Sequence, residues 1–265
     1  MIANDAPSFE AAMGFSRRRI LLFVLVVLAR AAPEAAAAER QVDLQLVLAV
    51  DASGSVDVRR FELQRRGYAE AFANPRILEA IRSGPLQAIA VTMFQWTGPR
   101  LQVRVLDWQV VEDGASANAV AATIATTPRR LFGGGTSISA AIDYAVPLFA
   151  AGDFAAERRV IDVSGDGANN SGRSPGLARD AAVAAGIVIN GLPILALEPD
   201  LDAYYRDNVI GGPGAFVVAV DSFEHFGDAI LDKLINEIAA APEATPRRPR
   251  GQARAAGGDG RAALE

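Results

Sequence analysis

The run Val42-Asp-Leu-Gln-Leu-Val-Leu-Ala-Val50, closed by Asp51-Ala-Ser53-Gly-Ser55, decides how the rest of the chain is read. A short apolar segment bounded by turn residues is a strand, and downstream of it helical and strand patterns alternate. Phe61, Tyr68, Ala69 and Phe72 recur at helical spacing between charges, which predicts an amphipathic helix over about 57–73. Two β-type runs, Ala88–Trp96 and Leu101–Val111, flank Thr97-Gly-Pro-Arg100, the signature of a hairpin and hence of one antiparallel edge strand. Ala117–Thr126 reads as a short helix, Gly133-Gly-Gly135 as a loop and Ser137–Phe149 as a helix. Then come a strand at Val160–Ser164, a helix at Pro175–Ala185, a strand at Ile187–Leu195, a helix at Leu201–Val209 and a strand at Ala215–Val220. A last helix carries Phe223, Phe226, Ile230, Leu231, Leu234, Ile235 and Ile238, an apolar stripe that must dock on a sheet. The expected fold is α/β, a doubly wound and mostly parallel central sheet with one antiparallel edge strand and helices on both faces.

With 265 residues, 51% of them hydrophobic and 22% charged, the chain can bury one large core, and neither an internal repeat nor a second core is visible. Three regions are expected. Residues 1–38 carry Arg17-Arg18-Arg19, the apolar run Ile20–Ala29 and Ala36-Ala37-Ala38. A basic flank, an apolar stretch too short to span a bilayer and a small-residue exit are the features of a cleavable export signal. The folded domain is expected over 39–241, and residues 242–265, rich in Pro, Gly and Arg without apolar periodicity, read as a disordered tail. The location this implies is outside the cytoplasm, periplasmic or secreted, with no stable membrane insertion once the signal is cleaved. The body between the ends carries 17 basic and 25 acidic residues, a net charge of −8 that offers no footprint for nucleic acid. Cysteine is absent, which removes disulfides, thiolate metal sites and thiol nucleophiles.

In open α/β sheets ligands sit beyond the carboxyl ends of the strands. Three polar turns fall at such positions: Asp51-Ala-Ser53-Gly-Ser55, Gly135-Thr136-Ser137 and Ser164-Gly-Asp166-Gly. Together they offer two carboxylates and three hydroxyls, with no nitrogen or sulfur. Hard oxygen donors of this kind select Mg²⁺, Mn²⁺ or Ca²⁺ over zinc.

The order Asp-x-Ser-x-Ser, then Thr, then Gly-Asp-Gly resembles the metal-ion-dependent adhesion site of the von Willebrand factor A domain, matched at Asp51, Ser53, Ser55, Thr136 and Asp166. The resemblance runs from about Val42 to Ala240. It implies that these five residues hold a divalent cation directly or through water, and that the cation captures an Asp or Glu side chain of a partner protein. Trp96-Thr-Gly and Gly165-Asp-Gly-Ala-Asn-Asn170 are also similar to segments of exported bacterial A-domain proteins of uncharacterised function. Asn169 and Asn170 either line the site or bond the loop.

No catalysis is expected. Gly165-Asp-Gly-Ala-Asn-Asn170 resembles a motif of haloacid-dehalogenase-type phosphatases, with Asp51 at the place of their nucleophile. The likeness fails at Ser53, where an acid/base Asp is needed, and Lys233, the one lysine, lies in the final helix. His225, the one histidine, heads that helix, where a surface or capping role is expected, and no Gly-x-Ser-x-Gly turn accompanies it. A metal-independent structural module is the other alternative. Trp96 and Trp108 read as packing between sheet and helix or rimming the site, and Arg129-Arg130 and Arg158-Arg159 as solvated flanks.

Overall fold

The computed structural model describes residues 39–240; the expected export signal and the expected tail lie outside the described residues. In chain order the elements are β1 (Arg40–Gln41), β2 (Leu44–Asp51), α1 (Val58–Ala73), α2 (Pro75–Arg82), β3 (Ile89–Trp96), β4 (Gln102–Val111), α3 (Gly114–Thr126), α4 (Ile138–Ala145) and α5 (Leu148–Ala151). They continue as β5 (Phe154–Ala155), β6 (Arg158–Gly165), α6 (Pro175–Ala184), β7 (Val188–Pro193), α7 (Leu201–Asn208), a 3-10 turn (Phe223–His225) and α8 (Phe226–Ala239). The main sheet has the order β4-β3-β2-β6-β7. Its pairs are parallel except the β3–β4 hairpin.

All eight residues of β2 are buried, because the central strand is covered on both faces. Leu44, Leu46, Leu48 and Val50 point to one core, with Phe61 and Phe72 of α1, Ile77 of α2, Val120 of α3 and Ile230 of α8. Val47 and Ala49 point to the other, with Ile142 of α4, Ala182 of α6 and Tyr205 of α7. Period-two alternation thus feeds two helical layers from a single strand. The doubly wound architecture is the expected one.

Three details depart from expectation. The segment 215–220 is no regular strand: it meets β7 through isolated bridges at Gly191↔Val217 and Ile194↔Val220. The Asn190 side chain takes the Phe216 N–H (2.9 Å), and Gly212 and Gly214 enter the segment at positive φ, so a ladder cannot run through it. The helix expected over Ser137–Phe149 breaks after Ala145, since Pro147 has no N–H to continue it. Helix α2 was not expected. It starts at Pro75, with the Asn74 side chain accepting from Arg76 N–H (3.0 Å), a proline and cap arrangement suited to a first turn. Helix α8 docks on the sheet as expected, with Ile230 and Leu234 in one core with Leu44, Leu46 and Val160, and it also packs against α1 and α2. Gly67 makes the crossing close, for a Cβ there would sit 2.8 Å from the Phe226 ring and 3.1 Å from the Gly227 Cα.

Beneath α8 lies a charged cluster. Lys233 is fully buried, 2.6 Å from Asp162 of β6 and paired with Glu237, whose carboxylate also accepts from the Asn190 amide (3.1 Å). Burial, then the Asp162 charge, pushes the Glu237 carboxyl up to about 7. At this pole, opposite the carboxyl ends of the parallel strands, Gln41 and Val42 meet Ile238, Ala239 and Ala240 around a 420 Å³ cleft.

Candidate metal centre

The three polar turns converge at the carboxyl ends of β2, β3 and β6. Asp51 is the last residue of β2 and Asp166 follows the last residue of β6, so the parallel β2–β6 pairing sets the two carboxylates side by side. The Ser53 N–H donates to Asp51 Oδ1 (2.7 Å), which curls the chain back. Ser53 Oγ lies 3.1 Å from Ser55 Oγ, and the Ser55 hydroxyl donates to Asp166 Oδ1 (2.5 Å). Asp51, Ser53, Ser55 and Asp166 therefore form one hydrogen-bonded set.

Thr136 arrives on a separate loop. Gly133, Gly134 and Gly135 have φ of +78°, +104° and +82°, which non-glycine residues rarely adopt. The loop lies on the β3–β4 turn, where a Cβ on Gly98 would collide with the Gly134 carbonyl oxygen. It also lies beside the Asp-Ser turn, since a Cβ on Gly54 would be 3.7 Å from the Gly133 Cα. Among the described residues no hydrogen bond links Thr136 to the other four. Instead its N–H donates to the Asn170 side chain (2.9 Å) and its carbonyl accepts from Asn170 N–H (2.9 Å). Asn169 likewise accepts from Ser139 N–H (3.2 Å) at the start of α4. The two asparagines bond the loop, tying the turn after β6 to the Thr136 turn.

Arg130 is exposed, as expected of a solvated flank, whereas Arg129, Arg158 and Arg159 correct that expectation. Arg129 Nη2 donates to the carbonyls of Ala52 and Ser53 (3.0 Å each), clasping the Asp-Ser turn, and its guanidinium stacks over the Phe132 ring. Arg158 donates to the carbonyls of Glu237 and Ile238, and Arg159 to that of Ala185. Arg60 was not singled out in the sequence, where it is one of several charges on α1. Its Nη1 donates to the Ser55 carbonyl (2.7 Å) and lies 3.5 Å from Asp166 Oδ2. His225 is exposed and pairs with Asp221 (2.6 Å).

The centre is polar and incompletely satisfied. Asp51 Oδ2, Asp166 Oδ2, Trp96 Nε1, Thr97 Oγ1 and Tyr205 OH are buried without a hydrogen-bond partner. Three of these side chains crowd Gly165, where a Cβ would lie 2.9 Å from Tyr205 OH, 3.0 Å from Asp51 Oδ2 and 3.4 Å from Trp96 Cζ2. Burial, then the neighbouring Asp166, pushes the Asp51 carboxyl up to about 7. Burial also raises Asp166, against the lowering effects of the Ser55 hydrogen bond and Arg60. Two buried carboxylates with free lone pairs beside two hydroxyls suit a hard divalent cation, which supplies the missing positive charge. No cluster of three or more His, Cys, Asp or Glu suited to a metal occurs among the described residues, so a cation here would have only hydroxyls and two carboxylates to rest on.

A family model described as "Protein of unknown function (DUF1194)" matches residues 41–242. No curated protein matches the chain. Solved structures share the fold. One is proximal thread matrix protein 1 from the mussel byssus, with a zinc-occupied MIDAS motif (TM-score 0.54, 13% identity, 76% of this chain and 49% of that one). Another is the pilus adhesin SpaC from Lactobacillus rhamnosus GG (0.53, 15%, 75% and 31%). A third is the minor pilin PilB from Streptococcus sanguinis (0.52, 13%, 76% and 62%). The chain thus spans less than two thirds of the length of each of these structures.

Proposed function

The chain belongs to the family described as protein of unknown function DUF1194, and we propose that it is a divalent-cation-dependent protein-binding module that works outside the cytoplasm. The observation that carries this reading is the pairing of Asp51 and Asp166, each with a buried oxygen lacking a partner, across the Ser53 and Ser55 hydroxyls. Asp51, Ser53, Ser55, Thr136 and Asp166 would hold Mg²⁺, Mn²⁺ or Ca²⁺. When bound, the cation supplies a Lewis-acidic charge that is only partly neutralised and so attracts a carboxylate. That carboxylate is an Asp or Glu side chain of a partner.

The surroundings support a protein partner over a free anion. Val58, Leu101, Phe132, Leu177 and Leu197 are exposed, and each belongs to a loop or first helical turn at the strand ends that carry the centre. Phe132, 73% exposed, is posed by Arg129, which itself grips the Asp-Ser turn. Exposed apolar side chains gathered at one end of the sheet offer surface that a protein partner can bury. Export is supported by the N-terminal sequence pattern. Among the described residues no helix is long and apolar enough to cross a membrane.

Calorimetric titration of Mg²⁺ and Mn²⁺, with Ser53→Ala as the comparison, tests the reading. Saturable binding in the parent that is lost in the variant, with the fold retained, is expected. Absence of binding in both returns the protein to a metal-independent module, a reading favoured by the way Arg60 and Arg129 already brace the turn.

A further inference from the structure

Arg60 sits where few helices place a cation. It belongs to the first turn of α1, together with Arg59 and with no acidic residue, although the amino end of a helix is electropositive. Local helix energetics therefore do not explain it. Its side chain is fixed on three sides: the Ser55 carbonyl accepts from Nη1 at 2.7 Å, the Phe223 ring lies 5.2 Å from the guanidinium carbon, and Asp166 Oδ2 lies 3.5 Å away. The last contact is an ion pair without a hydrogen bond. Asp166 Oδ1 is engaged by the Ser55 hydroxyl, while Oδ2 has no hydrogen-bond partner at all. Arg60 thus offsets the charge of Asp166 and leaves the lone pairs of Oδ2 open.

We propose that Arg60 is a built-in competitor for the cation, which holds the centre together when empty and weakens metal binding until a partner's carboxylate arrives. The inference rests on the cation reading of Asp51, Ser53, Ser55, Thr136 and Asp166. A cation leaning on Asp166 would have a fixed guanidinium as a close neighbour of like charge, and nothing in the arrangement lets Arg60 leave without giving up the Ser55 carbonyl. An incoming anion relieves that repulsion, so metal and partner bind cooperatively. Arg129 differs, for it reaches the same turn through carbonyls alone and touches neither carboxylate.

The test is Mn²⁺ titration of the full-length protein and of its Arg60→Gln and Arg60→Lys variants at neutral pH, with metal-free melting of each. Removing a like charge at this range is expected to tighten Mn²⁺ binding about tenfold or more in Arg60→Gln. Arg60→Lys keeps the charge without the planar fork and is expected to stay within about threefold of the parent. Metal-free Arg60→Gln is expected to melt lower than the parent, with the gap closing in saturating Mn²⁺. Equal or weaker binding in Arg60→Gln, with the parent still binding, overturns the competitor role and leaves the cation reading intact. A parent and variants that all fail to bind Mn²⁺ overturn both.

Discussion

Replacing Asp51 by Asn should make the cation-free protein more stable at alkaline pH, the reverse of what removing a stabilising contact does. Asp51 is fully buried, one oxygen accepts from Ser53 N–H, and the other has no partner. Burial and the Asp166 charge move its carboxyl from an ordinary 3.8 to about 7 in the fold. Between those values the folded protein holds a proton that the unfolded chain has released, so stability falls as pH rises through the window. At about 1.4 kcal/mol per pH unit the whole penalty is on the order of 4 kcal/mol, of which roughly 3 kcal/mol develops between pH 5 and 8. Asn keeps an acceptor for Ser53 N–H and carries no charge, so it removes that slope. The assay is urea unfolding in EDTA at pH 5 and pH 8. The parent should lose about 3 kcal/mol more than Asp51→Asn across the interval. Mn²⁺ at a hundred times its dissociation constant should return about 2.7 kcal/mol to the parent and nothing to the variant. The same pH slope in both proteins would refute the reasoning.

Asn170→Ala removes the acceptor for Thr136 N–H and should cost about 1–2 kcal/mol by denaturant unfolding, with Mn²⁺ affinity reduced by calorimetry as the Thr136 loop loosens. Lys233→Met leaves Asp162 and Glu237 buried without their cation, and chemical denaturation at pH 8 should show a loss of about 3–5 kcal/mol. Because Glu237 titrates near 7, that loss should shrink at pH 5, where the carboxyl is neutral. Gly67→Ala should cost about 1–3 kcal/mol in thermal melts by forcing α1 from the Phe226 ring and Gly227, with the cation titration unchanged.

The α/β order could be read from the sequence because the strands are covered on both sides: β2 and β3 appear as mostly apolar runs whose length separates them from helices. The Asp51, Ser53 and Ser55 turn could be read because spacing of two within a turn is local, and the structure joins all three with Asp166. Thr136 is harder, since its place depends on Asn170 and on three left-handed glycines that a linear reading treats only as a loop. Segment 215–220 carries strand-like residues, but Asn190, a residue of another element, claims one of its N–H groups. Arg60 and Arg129 could not be distinguished from surface charges, because their partners, Asp166 for one and Ala52 and Ser53 for the other, lie far away in the chain. The burial of Lys233 is hidden for the same reason: its counter-ion Asp162 sits on β6, 71 residues earlier.

The cleft where Gln41 and Val42 meet Ile238–Ala240 fixes how the domain carries mechanical load. Entry and exit of the described chain share one pole, and the loops of the candidate metal centre occupy the other. A pull on either end is therefore taken up at the rim by β1, through its two-residue pairing with β5, and by the last turn of α8, through Arg158. Tension between the two ends acts across neighbouring anchor points and peels these edges first, while the long β2–β6 ladder that aligns Asp51 with Asp166 lies outside the line of force.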